Sequence, residues 1–234
     1  MGNSWESLAY KISGLSETDA LRVLAETYPG EVVFSSSFGI EDQAITHMIL
    51  SEKLPIEIFT LDTGRLFKET YSVWSSTNER YHTRIKPYYP AQEALEAFVE
   101  KEGPNAFYQS QELRKSCCYH RKVEPLGRAL KGKKVWITGL RAAQSANRQT
   151  MDQLEWDGSH ELLKYHPLLH WTTQQTRDFI DLHNIPYNTL HDKGFVSIGC
   201  APCTRAIRPG EDFRAGRWWW EDSSKKECGL HVHS

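Results

Sequence analysis

Five cysteines are the most chemically versatile side chains in this sequence of 234 residues. Four form two tight pairs, Cys117–Cys118 and Cys200-x-x-Cys203, and Cys228 stands alone near the C-terminus. The N-terminal residues lack the apolar run of a secretory signal, so we expect a cytoplasmic chain. In that compartment cysteines are thiols or metal ligands rather than structural disulfides. The count therefore suggests four ligands and one separate thiol.

The two pairs, about eighty residues apart, suit either zinc or an iron–sulfur cluster. Zinc sites usually separate their paired ligands by about two to four residues, so adjacent cysteines fit a single tetrahedral ion poorly. A cubane cluster offers separate iron corners, and the spacing therefore favours iron–sulfur over zinc, with a disulfide third. Because cations favour the thiolate, the flanking Arg114, Arg121 and Lys122 argue against a pair of inert buried thiols.

Cys228 lies in a short cationic stretch with two lysines and His231. Such neighbours could lower the pKa of the thiol and make it a nucleophile. The alternative is an exposed tail cysteine without a function, which is the commoner case for an isolated residue. Arg214 and Arg217 precede it and offer paired N–H donors to an oxyanion, which favours the nucleophile. The intervening Trp218–Trp220 could belong to a core or could shield the site.

The composition is that of an ordinary globular domain, with 39% hydrophobic and 25% charged residues. A net charge of −2 gives no general attraction to nucleic acid, and no apolar run is long enough to cross a bilayer. We therefore expect the chain to bind neither nucleic acid nor a membrane. The length fits one α/β domain, residues 1–234, whose mobile catalytic tail starts at about residue 218.

Three apolar segments, residues 31–36, 56–61 and 135–138, have the pattern of buried parallel strands. Each leads into a polar loop, namely Ser35–Gly39, Leu61–Arg65, and a turn with Gly139, Arg141 and Arg148. A small-residue loop before a helix points backbone N–H groups at a phosphate or ribose, and parallel sheets bind ligands beyond the carboxyl ends of their strands. The sequence thus predicts a parallel sheet flanked by helices, with a ligand site at one edge.

Six segments carry a resemblance to a known family: SSSFGIED (35–42), TLDTGRLFKETY (60–71), CCYHRK (117–122), WITGLRAAQSANR (136–148), GFVSIGCAPCTR (194–205), and PGEDFRAGRWWWE with KECGLH (209–231). Together they closely resemble the assimilatory adenylyl-sulfate reductases, within the wider adenylyl-sulfate and phosphoadenylyl-sulfate reductase family. The resemblance implies an adenine-nucleotide α-hydrolase-like fold with a C-terminal extension that carries cluster ligands and the nucleophile.

The resemblance also implies a reaction. Cys228 attacks the sulfuryl group of adenylyl sulfate, displaces AMP and becomes a cysteine S-sulfonate. Reduced thioredoxin, as the electron donor, then releases sulfite. A [4Fe-4S] cluster that is not the electron donor is held by Cys117, Cys118, Cys200 and Cys203.

Further site residues follow from the same resemblance. Lys122 links the cluster's charge to the substrate, Arg214 and Arg217 hold its sulfate and phosphate, and His231 contacts the substrate or assists Cys228. The nucleotide site is expected to include Ser35, Ser36, Ser37, Phe38, Gly39, Leu61, Asp62, Thr63, Gly64, Arg65, Gly139, Arg141 and Arg148.

Two features depart from the family pattern. Ala142 stands where the family often has a second arginine, and no redox domain follows the tail, so a separate thioredoxin is expected. Three alternatives stay open: the same chemistry on phosphoadenylyl sulfate, an ATP pyrophosphatase on the same fold, and a metal-binding module without activity. The missing SGGxDS loop disfavours the second, and four cluster ligands favour adenylyl sulfate as substrate. The sequence leaves homo-oligomerisation open.

Overall fold

The computed structural model describes residues 4–144 and 150–221. Its helices are α1 (Ser4–Ile12), α2 (Glu17–Thr27), α3 (Ile40–Ser51), α4 (Lys68–Arg80), α5 (Gln92–Glu102), α6 (Gln111–Cys118), α7 (Glu124–Leu130) and α8 (Thr173–Leu182). Its strands are β1 (Val32–Ser35), β2 (Glu57–Leu61), β3 (Lys86–Tyr88), β4 (Val135–Ile137), β5 (Leu154–Asp157) and β6 (Leu162–Tyr165).

Within the described residues these strands form one sheet in the order β3-β2-β1-β4-β6-β5. Neighbouring strands are parallel except β5 and β6, which form an antiparallel hairpin. The predicted parallel sheet flanked by helices is therefore confirmed. Because the chain runs from β1 to one side of the sheet and returns at β4 on the other, a switch point lies between β1 and β4.

Helices cover both faces of the sheet because the side chains of its central strands alternate between two cores. Val32 and Phe34 of β1 belong to the larger core with α2 and α3, whereas Val33 packs with Leu126 and Leu130 of α7. Helix α3 is buried almost throughout, including its acidic first turn. This burial places charged groups directly beside the strand ends.

From the sequence alone, residues 83–87 are expected to form a short strand, but β3 begins only at Lys86. Residues 83 and 85 instead donate backbone hydrogen bonds to Asn78, at 3.1 Å each, and so extend the end of α4. Across residues 4–144 and 150–221, no helix combines the length and apolar character that a membrane span requires.

Candidate functional site

A cleft of about 230 Å³ lies at the carboxyl ends of β1, β2 and β4. In parallel sheets of this kind ligands bind at the switch point, and the cleft opens there. The residues predicted from the sequence that line it are Ser35, Ser36, Ser37, Gly39, Leu61, Thr63, Lys122, Gly139, Arg214 and Arg217. We call this space the strand-end cleft.

The loop after β1 is folded tightly by its own hydrogen bonds. Ser36 donates its N–H to the carbonyl of Phe59 at 2.8 Å and accepts the N–H of Phe38 on Oγ at 3.2 Å. Phe38 adopts a positive φ of 59°, is fully buried and stacks on Trp74 with ring centroids 5.6 Å apart. Phe38 thus anchors the loop from beneath and does not line the strand-end cleft.

Only part of the loop after β2 faces the strand-end cleft. Leu61 and Thr63 line the strand-end cleft, but Asp62 accepts hydrogen bonds from the Gly64 N–H and the Tyr71 hydroxyl, each at 2.8 Å. Arg65 turns away and donates to the carbonyl of Pro104 and to the side chain of Asn105. Contacts of substrate with Asp62, Gly64 and Arg65 stay predictions.

The turn after β4 brings Gly139 to the strand-end cleft and withdraws Arg141 from it. Arg141 is buried, with its Nη2 atom 2.8 Å from Oε1 of Glu41, and it also donates to the carbonyl of Trp171 and the hydroxyl of Thr173. The structure therefore assigns Arg141 a partner within the protein, and a substrate contact stays a prediction. Arg148 lies outside the described residues.

Cations form the opposite wall of the strand-end cleft. A π-helical turn, Tyr119–Val123, follows α6 and carries Lys122, while Arg214 and Arg217 come from the C-terminal segment. Arg217 is nearly buried; its guanidinium lies 4.8 Å from the Trp218 ring centroid, and Nη1 is 3.4 Å from Ser197 Oγ. Within the described residues its Nε has no hydrogen-bond partner. The wall therefore offers donors to an anion.

Beside this wall, four cysteines line one small cavity, which we call the cysteine cavity. Its lining is Cys117, Cys118, Cys200 and Cys203 with Arg65, Phe107, Arg114, Arg121, Lys122 and Pro202. Within the described residues, no three His, Cys, Asp or Glu side chains are grouped as ligands of a single metal ion. Four convergent thiols around a shared space are the donor set of an iron–sulfur cluster, so the residues fit that cofactor.

Burial outweighs the nearby cations at two of the thiols in this cavity. Burial raises the pKa of Cys117 although Arg121 opposes it, and burial raises the pKa of Cys203 to about 12. The cost of burying a charge thus exceeds the attraction of one guanidinium at Cys117. The role of this cysteine as a cluster ligand stays a prediction.

The start of the predicted tail packs against α6. Trp218 is buried, with the Arg114 guanidinium 4.4 Å from its ring centroid, whereas Trp219 is 40% exposed. Arg114 forms a two-pronged ion pair with Glu221, at 2.6 and 2.9 Å. Of the three tryptophans, Trp218 is thus a core residue. Cys228 and His231 lie outside the described residues, and their roles stay predictions.

Several residues of the strand-end cleft were not predicted from the sequence: Glu41, Asp42, Thr138, Gln144, His191 and Gly199. Glu41 and Asp42 belong to the SSSFGIED segment, where the sequence indicates only acidic residues in the first turn of a helix. Their position directly after a strand-end loop was the available signal. His191 and Gly199 come from a segment outside the sheet, which strand patterns do not reveal.

The fold and the site together define a class: α/β proteins with a ligand cleft at the switch point of a parallel sheet. Residues 31–206 match the family described as "Phosphoadenosine phosphosulfate reductase domain". The chain belongs to this family, and as a member it is an oxidoreductase.

Named relatives support this membership. A protein of Agrobacterium fabrum named adenosine 5′-phosphosulfate reductase is 48% identical over 226 residues, 97% of this chain and 86% of that protein. One of the same name from Sinorhizobium fredii is 52% identical over 203 residues, 87% of this chain and 81% of that protein.

Among solved structures, the phosphoadenylyl-sulfate reductase of Candida auris, in a phosphate complex, has a TM-score of 0.73 at 28% identity. The match covers 86% of this chain and 95% of that one. The FMN adenylyltransferase of Candida glabrata matches with a TM-score of 0.56 at 16% identity, covering 94% of this chain and 75% of the other. That second likeness shows a shared fold alone.

Proposed function

We propose that this chain is an adenosine 5′-phosphosulfate reductase that converts adenylyl sulfate to sulfite and AMP in sulfate assimilation. The observation that carries the proposal is the junction at Lys122, which lines both the strand-end cleft and the cysteine cavity. A cleft with Arg214 and Arg217 suits a ligand with adjacent phosphate and sulfate groups. The relatives' shared name supplies the substrate.

In the proposed reaction, the thiolate of Cys228 attacks the sulfur of the sulfuryl group. A sulfur–sulfur bond forms, the bond from sulfur to the phosphate oxygen breaks, and AMP leaves with the electron pair. A thiolate of reduced thioredoxin then attacks Sγ of Cys228 and displaces sulfite. The second thiol of thioredoxin resolves the mixed disulfide, so two electrons pass from thioredoxin to the sulfur that becomes sulfite.

The cations that line the strand-end cleft bind and orient the anion in this proposal. Lys122, Arg214 and Arg217 would neutralise the nucleotide's phosphate and sulfate, which otherwise repel an approaching thiolate. We further propose that Cys117, Cys118, Cys200 and Cys203 hold a [4Fe-4S] cluster. When bound, this four-thiolate group supplies fixed charge beside Lys122 rather than electrons.

The substitution Cys228→Ser tests this proposal, and Ser224→Ala, in the same segment, is the matched control. We expect Cys228→Ser to abolish sulfite release and to form no sulfonate adduct by intact-protein mass spectrometry. Visible absorption and iron content should match those of the wild type. Sulfite release at the wild-type rate by Cys228→Ser would refute Cys228 as the nucleophile.

Phosphoadenylyl sulfate is the second candidate substrate, because the structure of the Candida auris phosphoadenylyl-sulfate reductase resembles this one over most of both chains. Rates on the two nucleotides at equal concentration decide between them, and we expect the higher rate with adenylyl sulfate. Omitting reduced thioredoxin should limit the reaction to one AMP released per chain, with no release of sulfite. A cytoplasmic location is part of the same proposal.

A further inference from the structure

Asp42 is a buried carboxyl group in the wall of the strand-end cleft that the proposed reaction does not use. Its Oδ2 atom accepts the N–H of Ser37 at 2.5 Å and the Ser37 hydroxyl at 2.6 Å. These bonds tie the first turn of α3 to the Ser35–Gly39 loop.

The other oxygen of Asp42 faces the turn after β4. A β-carbon added at Gly139 would lie 2.1 Å from Oδ1 of Asp42, far inside van der Waals contact. The carboxyl group therefore fills the space that any side chain at position 139 would need. A single residue thus touches the two loops on either side of the switch point, where the nucleotide is proposed to bind.

The electrostatic setting of Asp42 differs from that of its neighbour. Glu41 is neutralised by Arg141 at 2.8 Å, whereas none of the ion pairs found within the described residues includes Asp42. Burial, reinforced by Glu41 and opposed by hydrogen bonds from Ser37, raises the pKa of Asp42 to about 7. The charged or titratable groups on the remaining walls are Lys122, His191, Arg214 and Arg217. Burial lowers the pKa of His191, which favours the neutral form of that side chain.

We propose that Asp42 is a positioning residue for the nucleotide, because its carboxyl group holds the Ser35–Gly39 loop and the Gly139 turn at the spacing that forms the binding wall. This inference rests on the proposed function and deepens it. Ionised Asp42 adds negative charge to a cleft that binds an anion. Affinity for adenylyl sulfate should therefore fall as the pH rises through about 7, where the proton leaves Asp42.

Two substitutions separate the two effects of the carboxyl group. Asp42→Asn keeps the shape of the side chain and removes its charge, whereas Asp42→Ala removes both. The control is Asp157→Asn, a partly buried carboxylate that pairs with Lys164 at 3.1 Å. Asp157 pairs with Leu162, the first residue of β6. It therefore lies at the end of the strands that is away from the cleft. All variants carry Cys228→Ser, so that adenylyl sulfate binds without reacting.

Binding is measured by calorimetry between about pH 6 and pH 8.5, a range in which a carboxyl group of pKa near 7 changes charge. We expect Asp42→Ala to bind at least about tenfold more weakly at every pH, since both loops lose their shared contact. Asp42→Asn should bind with little dependence on pH, and Asp157→Asn should follow the Cys228→Ser parent.

Two results would overturn the inference: wild-type affinity in Asp42→Ala, or an undiminished pH dependence in Asp42→Asn. The second comparison holds even when Asp42→Ala fails to fold. Should the Cys228→Ser parent itself not bind adenylyl sulfate, the proposed function and this inference fall together, which is distinct from a failure confined to the Asp42 variants.

Discussion

The strand-end cleft and the cysteine cavity lie side by side but are built in different ways. The cleft gathers loops that follow three neighbouring strands, so its position is set by the order of the sheet. The cavity joins the end of α6 to residues about eighty positions later, and aromatic and cationic side chains close it. The cleft therefore depends on backbone topology, and the cavity depends on a few long-range side-chain contacts.

The two sites adjoin at several residues. Lys122 lines both, and Gly199, in the wall of the cleft, immediately precedes Cys200 of the cavity. The comparison predicts that a change in one site leaves the other intact, even where the two sites adjoin. The variants below test this separation.

The largest effect is expected inside the cysteine cavity, from Cys118→Ser. A serine hydroxyl is a poor ligand for iron at neutral pH, so purified protein should lose most of its iron and visible absorption. Affinity for AMP should change by less than about threefold, because Cys118 does not line the cleft. A full iron complement in this variant would contradict the proposed ligand set, and loss of AMP binding would contradict the separation.

Glu221→Gln tests the contact that closes the cavity from the C-terminal side. It leaves the buried Arg114 with a neutral partner, and breaking a buried ion pair costs about 3–5 kcal/mol of unfolding free energy. Urea denaturation measures this loss. Glu52→Gln, which breaks an exposed pair with Arg22, is the control and should cost at most about 1 kcal/mol. Equal losses in the two variants would mean that the Arg114 pair adds no special stability.

Gly199→Ala acts at the boundary between the sites. Its β-carbon would lie 2.3 Å from Nη2 and 2.6 Å from Cζ of Arg217, so that guanidinium must move. Losing one charge-assisted contact to the nucleotide costs about 1.5–3 kcal/mol, which is about 10- to 150-fold in affinity. Calorimetry with AMP measures this change, and the iron content should stay that of the wild type.

Gly127→Ala is the matched control for Gly199→Ala. Gly127 lies within α7, and within the described part of the chain no atom beyond its chain neighbours and the backbone of its own helix falls within 4 Å of an added β-carbon. Alanine should there stabilise the helix slightly without altering affinity. If both glycine variants bind AMP as the wild type does, Arg217 either adjusts without loss or does not contact the nucleotide.

The contrast between the sites also explains what the sequence could predict. Strand-end loops are local patterns, so Ser35–Gly39 and Gly139 could be placed at one edge of a parallel sheet before the structure was known. The direction of a single side chain is not local. Arg141 follows the same strand end as Gly139, yet it turns inward because Glu41, on another element, is there to neutralise it.

The depth at which a side chain is buried is the second property that the sequence does not reveal. The cations beside Cys117 favour its thiolate, but burial in the cavity raises the pKa of this thiol. Asp42 shows the same effect, because an acidic residue in the first turn of a helix is usually an exposed and ionised group. Both residues acquire their chemistry from elements distant in sequence.

The smallest effect is expected from a third region, the surroundings of His47. Its protonation affects the stability of the fold and so sets a lower limit to the pH range in which the two sites can be compared. His47 packs against His183 with ring centroids 4.7 Å apart and hydrogen bonds to the Tyr81 hydroxyl at 2.8 Å. Burial, with His183 and Arg80, lowers the pKa of His47 to about 4.

In the unfolded chain His47 takes up its proton near its ordinary pKa of about 6.5, whereas in the folded chain it does so only near 4. Stability is therefore complete above about pH 6.5 and declines as the pH falls toward 4. His47→Gln, compared with the exposed His170→Gln, should lessen the drop in urea midpoint between about pH 7 and pH 5. An equal drop in both variants would assign the acid sensitivity to other groups. The pH dependence of binding at Asp42 lies above this range, so an acid-induced loss of fold does not imitate it.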